Sequence, residues 1–121
     1  MMIQELQNKI EPAAAVLKAM ANPQRLKMLC LLAEREMSVG QLEDLVGLSQ
    51  SALSQHLAKL RQDRLVRTRR DRQTIYYALN GGTALTVMAA LAELYRQTPA
   101  PANSDRIVAE PVGADDETAC A

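Results

Sequence analysis

The fold is decided by residues 37–79, MSVGQLEDLVGLSQSALSQHLAKLRQDRLVRTRRDRQTIYYAL. Ser38 and Gln41 have the spacing of a capping box, which predicts a short helix over residues 39–46. Gly47 follows at the position where helices commonly end in a left-handed residue. A tight turn is therefore expected at this glycine.

A second helix is predicted directly after this turn. Ser49 is a suitable N-cap, and Leu53, Leu57 and Leu60 repeat at the spacing of one buried helical face before the helix ends near Asp63. Two short helices joined by a turn that contains glycine are typical of a helix-turn-helix.

The face of this second helix that lies opposite the leucines is polar and carries no charge. It contains Ser51, Gln55, Ala58 and Gln62, and Gln50 and Ser54 flank it. Such side chains can approach base edges in a DNA major groove, where glutamine pairs with adenine and serine with several acceptors. The residues alone leave open the alternative that they only solvate a surface helix.

Two strands are predicted next, over residues 65–68 and 74–79, with a charged hairpin loop over residues 69–73. The expected fold class is therefore mainly α with a two-stranded β-wing, a winged helix-turn-helix. Seven basic and two acidic residues lie between Lys59 and Arg72, a net charge of +5. Arginines on or beside a wing can bind phosphates, which gives affinity with little sequence information. The candidates are Arg67, Arg69, Arg70 and Arg72.

Helices are also predicted on both sides of this region. The first twenty residues have helical periodicity, and Pro12 is expected to break or restart the helix. Asn22 followed by Pro23 predicts the start of a helix that runs to about residue 34. Thr83 predicts the cap of a last helix.

Composition separates residues 1–97 from residues 98–121. The chain has no net charge, but its last 24 residues carry five acidic residues and one basic residue. We interpret them as an acidic, proline-containing disordered tail. Charged residues make up 23% of the chain and apolar residues 48%, which is typical of a globular protein. Three Tyr and no Phe or Trp exclude the aromatic platforms on which single-strand binders stack bases.

The sequence contains no apolar stretch near the roughly 18 residues that a membrane span needs, and it does not begin like a signal peptide. We therefore expect a cytoplasmic protein without a membrane partner. Cys30 and Cys120 are far apart in the chain, so both thiols are expected to be reduced rather than joined in a structural disulfide.

Residues 17–32, LKAMANPQRLKMLCLL, together with residues 37–79 resemble the ArsR/SmtB family of winged-helix repressors. The resemblance covers about residues 13–97 and is strongest to the sulfur- and redox-responsive members. It implies a homodimer that binds double-stranded promoter DNA at an inverted repeat. The residues that match base-reading positions are Gln50, Ser51, Ser54 and Gln55.

The resemblance also implies that the first and last helices form the dimer interface, so that residues 1–97 are a DNA-binding and dimerisation domain. The apolar positions concerned are Leu6, Ile10, Leu17, Leu85, Met88, Leu91 and Tyr95. The alternative is that those on the last helix pack only within the chain. His56 lies between the leucine face and the polar face, and we expect a structural role for it rather than direct DNA contact.

The signal sensed is less well defined. Metal-sensing relatives carry a cysteine where this chain has Ser38, and the last helix offers Glu93 without a histidine or aspartate, so we expect no metal and no cofactor. Cys30 matches the first of two reactive cysteines in the thiol-switch members, whose inducer is an oxidant or reactive sulfur. Arg96 stands where those members carry the second, and Cys120 is a candidate replacement. The alternative is a small buried Cys30 without a sensing role.

Other functional classes fit the sequence less well. One histidine, no glycine-rich phosphate loop and no nucleophile elbow argue against an enzyme. A DNA-binding anti-repressor or activator without a thiol switch would have the same DNA-contacting residues. A winged helix that binds only protein partners is the rival class, and it predicts no salt-dependent affinity for duplex DNA.

Overall fold

The structure is a computed structural model that describes residues 2–97. Its elements are α1 (Met2–Gln7), α2 (Ile10–Met20), α3 (Pro23–Glu34), β1 (Met37–Ser38), α4 (Val39–Val46), α5 (Gln50–Gln62), β2 (Val66–Asp71), β3 (Thr74–Leu79) and α6 (Thr83–Gln97). The strands form one antiparallel sheet in the order β1-β3-β2. The winged helix-turn-helix is confirmed, with α4 and α5 as its two helices and β2 and β3 as its wing.

The chain divides into two units, Met1–Met88 and Ala89–Ala121. In the first unit, leucine, methionine, valine and alanine side chains from α2 to α5, the sheet and the start of α6 form the core. The buried side chains are Ala19, Met20, Met28, Leu29, Leu32, Met37, Leu42, Val46, Leu53, Leu57, Leu60, Leu65, Val66 and Ala84. Among the described residues no charged or polar residue is buried, which avoids the cost of an unpaired charge in the core.

Of the second unit the structure describes residues 89–97, which form the C-terminal part of α6. Leu91, Leu94 and Tyr95 are exposed there. The predicted tail, residues 98–121, and its Cys120 lie outside the described residues, so the boundary at residue 97 stays a prediction. No helix in the described part of the chain has both the length and the apolar character that a membrane crossing requires.

The prediction for the first twenty residues was wrong about the position of the break. The two helices are separated at Asn8 and Lys9, whereas Pro12 is the third residue of α2. The first N–H groups of a helix have no intrahelical partner, so a proline there costs no hydrogen bond. Helix α3 begins as predicted, because Asn22 Oδ1 accepts hydrogen bonds from the backbone N–H groups of Gln24 and Arg25 at 2.9 and 3.0 Å.

The sheet is larger than expected. Residues 69–71, predicted as loop, continue β2, and the hairpin loop is reduced to Arg72 and Gln73. β1 is a third strand that the sequence did not predict, and it pairs with β3. The predicted cap of the last helix was also wrong: Thr83 is its first residue, and the carbonyl of Gly82 accepts the N–H of Thr86 at 2.8 Å.

Candidate nucleic-acid interface

The turn before α5 is built by local interactions. Ser38 Oγ accepts the N–H of Gln41 at 3.2 Å, and Gln41 Oε1 accepts the N–H of Ser38 at 2.9 Å, which completes the predicted capping box. Gly47 ends α4 with φ 81°, and its N–H donates to the Glu43 carbonyl at 3.0 Å. Glycine suits this position because it carries no Cβ to clash in the left-handed region.

Helix α5 starts and packs as predicted. Ser49 Oγ accepts the N–H of Ala52 at 3.2 Å, and the three leucines of the stripe, Leu53, Leu57 and Leu60, are buried. Packing of this stripe determines which side of the helix faces outward. The side chains exposed on the outward face are Gln50, Ser51, Ser54, Gln55, Ala58 and Gln62. The structure therefore leaves a polar, uncharged surface available on α5.

Helix α5 ends in a Schellman motif. The N–H of Leu65 donates to the Leu60 carbonyl at 2.9 Å, and the N–H of Arg64 donates to the Arg61 carbonyl at 3.0 Å. Leu60 and Leu65 are both buried, which supplies the hydrophobic contact that usually accompanies this motif. Arg64 occupies the left-handed position with φ 62°. The motif thus sets the direction in which the chain leaves α5 for the wing.

Three of the four wing arginines are exposed and have no ion pair within the described residues: Arg67, Arg70 and Arg72. Arg67 and Arg70 lie on β2, opposite Ala78 and Ile75 of β3. Arg72 lies in the two-residue hairpin loop with φ 62°. Arg70 and Arg72 can approach a polyanion without first breaking an ion pair, whereas the charge of Arg67 also acts on the carboxylate of Glu36 and helps to lower its pKa.

Arg69 has a different environment. Its Nε donates to Glu36 Oε2 and its terminal nitrogen Nη2 to Glu36 Oε1, both at 2.8 Å. Its Cζ lies 4.6 Å from the centroid of the Tyr76 ring. The hydrogen bonds from Arg69 are the main reason that the pKa of Glu36 is lowered from its usual 4.5. Sequence reasoning did not find Glu36, because 33 residues separate it from Arg69 and no local pattern joins them.

His56 is half-buried on α5, at the boundary between the leucine face and the polar face, and it contacts Arg25. An Arg25 terminal nitrogen, Nη1, lies 3.4 Å from His56 Nδ1. Because arginine has only donors, a hydrogen bond between the two requires Nδ1 as the acceptor, in a neutral ring with its proton on Nε2. Burial, and then the charge of Arg25, lower the pKa of His56 from its usual 6.5. These contacts are those expected of a structural histidine.

Arg25 is a second residue that sequence reasoning missed. Its Nε donates to the carbonyl of Ala19 at 2.5 Å and its Nη2 to that of Lys18 at 3.3 Å. These two carbonyls belong to the last turn of α2, and that of Lys18 also accepts the N–H of the C-cap residue Ala21 at 3.3 Å. Arg25 on α3 therefore joins the end of α2 to His56 on α5.

Cys30 is exposed on α3, so the alternative of a small buried cysteine does not hold in this chain. Its Sγ lies 3.7 Å from Sδ of Met88 on α6. Within residues 2–97, no group of three or more histidine, cysteine, aspartate or glutamate side chains is arranged to hold a metal ion. Among the described residues the structure therefore brings Cys30 together with a thioether rather than with an acidic cluster, and Cys120 lies outside them.

The apolar positions assigned to a dimer interface are mostly exposed in this single chain. In the first unit, Leu6, Ile10, Leu17 and Leu85 are about half exposed, whereas Met88 packs against the core. In the second unit, Leu91 and Tyr95 are exposed. The alternative was that the last-helix residues pack only within the chain. Leu85 does not fit this alternative, because its side chain is about half exposed.

Comparisons with known proteins place this arrangement in a family. The family model described as "Bacterial regulatory protein, arsR family" matches residues 22–68, which include α4 and α5. The chain is 47% identical over 97 residues to the transcriptional activator HlyU of Vibrio cholerae, a match that covers 80% of this chain and 90% of that protein.

Two solved structures are also similar. The transcriptional repressor BigR from Xylella fastidiosa is 36% identical with a TM-score of 0.73, over 78% of this chain and 97% of that one. The homodimeric winged helix-turn-helix DNA-binding domain of Mb0332 from Mycobacterium bovis is 28% identical with a TM-score of 0.71, over 78% and 87%.

The relatives are transcriptional regulators and not enzymes, in agreement with the lack of a catalytic constellation in the sequence. In helix-turn-helix proteins generally, the second helix of the motif contacts base edges in the major groove, and basic side chains contact phosphates. The chain therefore belongs to the arsR family of bacterial regulatory proteins and is a DNA-binding transcriptional regulator.

Proposed function

We propose that this regulator binds an inverted repeat in promoter DNA as a homodimer and acts as a repressor. The observation that carries the proposal is the exposed, uncharged polar face of α5. The buried leucines of α5 hold this helix in place, and the basic wing follows it in the chain. In this arrangement Gln50, Ser51, Ser54 and Gln55 read base edges in the major groove.

The wing supplies sequence-independent affinity. Arg67, Arg70 and Arg72 are exposed, and each phosphate contact by such a side chain releases condensed counterions from the duplex. The proposal therefore assigns specificity to α5 and salt dependence to the wing. An anti-repressor or activator would bind in the same way and differ only in its effect on transcription.

Dimerisation is supported by a general argument about DNA binding and by two observations. One recognition helix buries too little surface for tight specific binding, and paired helices about 34 Å apart fit successive major grooves of an inverted repeat. The exposed apolar side chains of α1 and α2, together with Leu85, offer surface for a second copy, and the similar Mb0332 domain is homodimeric. Leu91 and Tyr95, which lie in the second unit, are proposed as dimer contacts as well.

Two variants separate base reading from phosphate binding in fluorescence anisotropy with a specific and a scrambled duplex. Gln55→Ala is expected to weaken binding to the specific duplex by about 1–3 kcal/mol and to leave the scrambled duplex unaffected. Arg70→Ala is expected to weaken both duplexes alike and to reduce the salt slope by about one.

Arg35→Ala is the matched control for Arg70→Ala, because Arg35 is an exposed arginine at the end of α3, outside α5 and the wing. It removes the same charge and should leave the salt slope nearly unchanged. Equal losses from Gln55→Ala on both duplexes would contradict base reading by α5. An absence of duplex binding by the wild-type protein would favour a protein-interaction module.

A thiol switch at Cys30 is a second proposal, favoured by the exposure of this cysteine and its position against Met88 of α6. Peroxide oxidises the Cys30 thiol by two electrons to a sulfenic acid and is itself reduced to water. Condensation of the sulfenic acid with the Cys120 thiol forms a disulfide and releases a second water. Reactive sulfur such as tetrasulfide is the other proposed inducer. A change at the α3–α6 contact would then alter the proposed dimer interface.

The switch is tested by anisotropy on the specific duplex before and after treatment with peroxide or tetrasulfide. The wild-type protein is expected to lose specific binding on treatment and to regain it with dithiothreitol. Cys30→Ser should keep its binding, and Cys120→Ser shows whether the second cysteine takes part. Binding by the wild-type protein that does not respond to either reagent would leave a constitutive regulator.

A further inference from the structure

Arg69 is the one wing arginine of the described residues whose guanidinium is held by a carboxylate in a two-point contact. Its Nε and Nη2 donate to the two carboxylate oxygens of Glu36, both at 2.8 Å. This parallel arrangement fixes the direction of the side chain as well as its position. A third charge, Asp71 on the same strand, lies 4.0 Å from Arg69 Nη1.

The same guanidinium covers the ring of Tyr76, with 4.6 Å between Arg69 Cζ and the ring centroid. Tyr76 lies directly opposite Arg69 in the pairing of β2 with β3, and opposite Ser38 in the pairing of β3 with β1. Glu36 immediately precedes β1. Arg69 therefore reaches from β2 across the central strand β3 to the residue that precedes β1.

We propose that Glu36, Arg69 and Tyr76 form a clamp that positions the wing for DNA binding, and that Arg69 is a positioning residue and not a phosphate contact. This inference rests on the proposed binding of duplex DNA. It divides the wing arginines into two groups, since Arg70 and Arg72 extend beyond the clamp towards the hairpin loop.

Charge supports this division. A phosphate that approached Arg69 would also approach the carboxylate of Glu36, and the two negative groups repel each other. The ion pair has no net charge, so Arg69 adds little to the counterion release that determines the salt dependence of binding. The exposed cations Arg70 and Arg72 have no such partner within residues 2–97.

The clamp predicts an effect of Glu36→Gln opposite to that predicted from charge alone. Removal of a negative charge beside the wing should tighten DNA binding if electrostatics were the only factor. If the clamp positions the wing, Glu36→Gln and Arg69→Gln each weaken binding to the specific duplex by about fivefold, and the double variant is no weaker than either single variant.

The experiment measures the affinity of each variant for the specific duplex over a range of salt concentrations. The slope of log affinity against log salt should be the same for wild type, Glu36→Gln and Arg69→Gln. Arg70→Gln is the matched control, and its slope should fall by about 0.9. A charge exchange, Glu36→Arg with Arg69→Glu, restores the ion pair but not the contact with Tyr76, and it should recover part of the lost affinity.

Several results would overturn the clamp: tighter binding by Glu36→Gln, a fall of about 0.9 in the slope of Arg69→Gln, or a charge exchange that binds no better than Arg69→Glu alone. Circular dichroism melting of each variant identifies losses of affinity that are caused by unfolding. If a single variant is less stable, the charge exchange should raise its melting temperature as well as its affinity. Failure of the wild-type protein to bind any duplex is a separate result that would overturn the proposed function and the clamp with it.

Discussion

Arg64 occupies a backbone conformation that glycine adopts more easily. Its φ of 62° places it at the left-handed position of the Schellman motif that ends α5, where a Cβ is unfavourable by about 1–2 kcal/mol. Glycine loses about 0.5–1 kcal/mol more in backbone entropy on folding, so part of this gain is offset. Arg64→Gly is therefore expected to raise the free energy of unfolding by about 0.5–1 kcal/mol.

Urea denaturation measures this change, and Arg64→Ala is its matched control. Alanine removes the same charge and keeps the Cβ, so it should give no comparable gain. A similar increase for both variants would mean that the charge, and not the backbone conformation, limits stability at this position.

Single residues also mark the limit of sequence reasoning. The caps Asn22, Ser38 and Ser49 were predictable because each acts on backbone groups two or three residues away. The Glu36–Arg69 pair spans 33 residues and the Arg25–His56 contact 31, and no local pattern indicates either. The packing of distant elements creates these contacts, so the residues involved could not be identified before the fold was known.

At the scale of elements, amphipathic helices were predicted more accurately than strand lengths. The leucine stripe of α5 follows from hydrophobic burial alone. The charged residues 69–71 suggested a loop, yet they form the end of β2, because backbone pairing with β3 satisfies the chain while the side chains remain exposed. β1 has only two residues, too few to produce an alternating pattern.

The contact between α3 and α5 through His56 gives a pH dependence of stability. The folded-state pKa of His56 is lowered, first by burial and then by the charge of Arg25. Above the unfolded-state pKa of 6.5 the ring is neutral in both the folded and the unfolded state, and the contribution of the neutral ring to the free energy of unfolding is fully present. As the pH falls below 6.5, the unfolded state takes up the proton more readily, so the free energy of unfolding decreases until the lowered pKa is passed.

Urea denaturation at several pH values between 7.5 and 5.5 tests this effect. His56 is the one histidine of the chain, and model-compound values place carboxyl groups below this range. His56→Gln keeps an acceptor for Arg25 and should remove the decrease. Greater stability of the wild-type protein at pH 5.5 than at 7.5 would contradict the neutral, Arg25-bonded ring.

At the scale of the whole molecule, charge and apolar surface point to two different partners. The net charge of zero conceals a segment of +5 between Lys59 and Arg72, which fits a polyanion. Exposed apolar side chains on α1 and α2 fit a second copy of the chain. The family could be identified from the sequence, because residues 17–32 and 37–79 carry its pattern, and the comparisons confirmed it.

The most direct test of the account is the affinity of the reduced wild-type protein for DNA upstream of its own coding sequence, against a scrambled duplex of equal length, with the number of chains bound measured by sedimentation. We predict two chains per duplex and a preference of at least about 1,000-fold for the upstream sequence at physiological salt. Equal affinity for the two duplexes would contradict sequence-specific regulation by α5, and one bound chain would contradict the dimer.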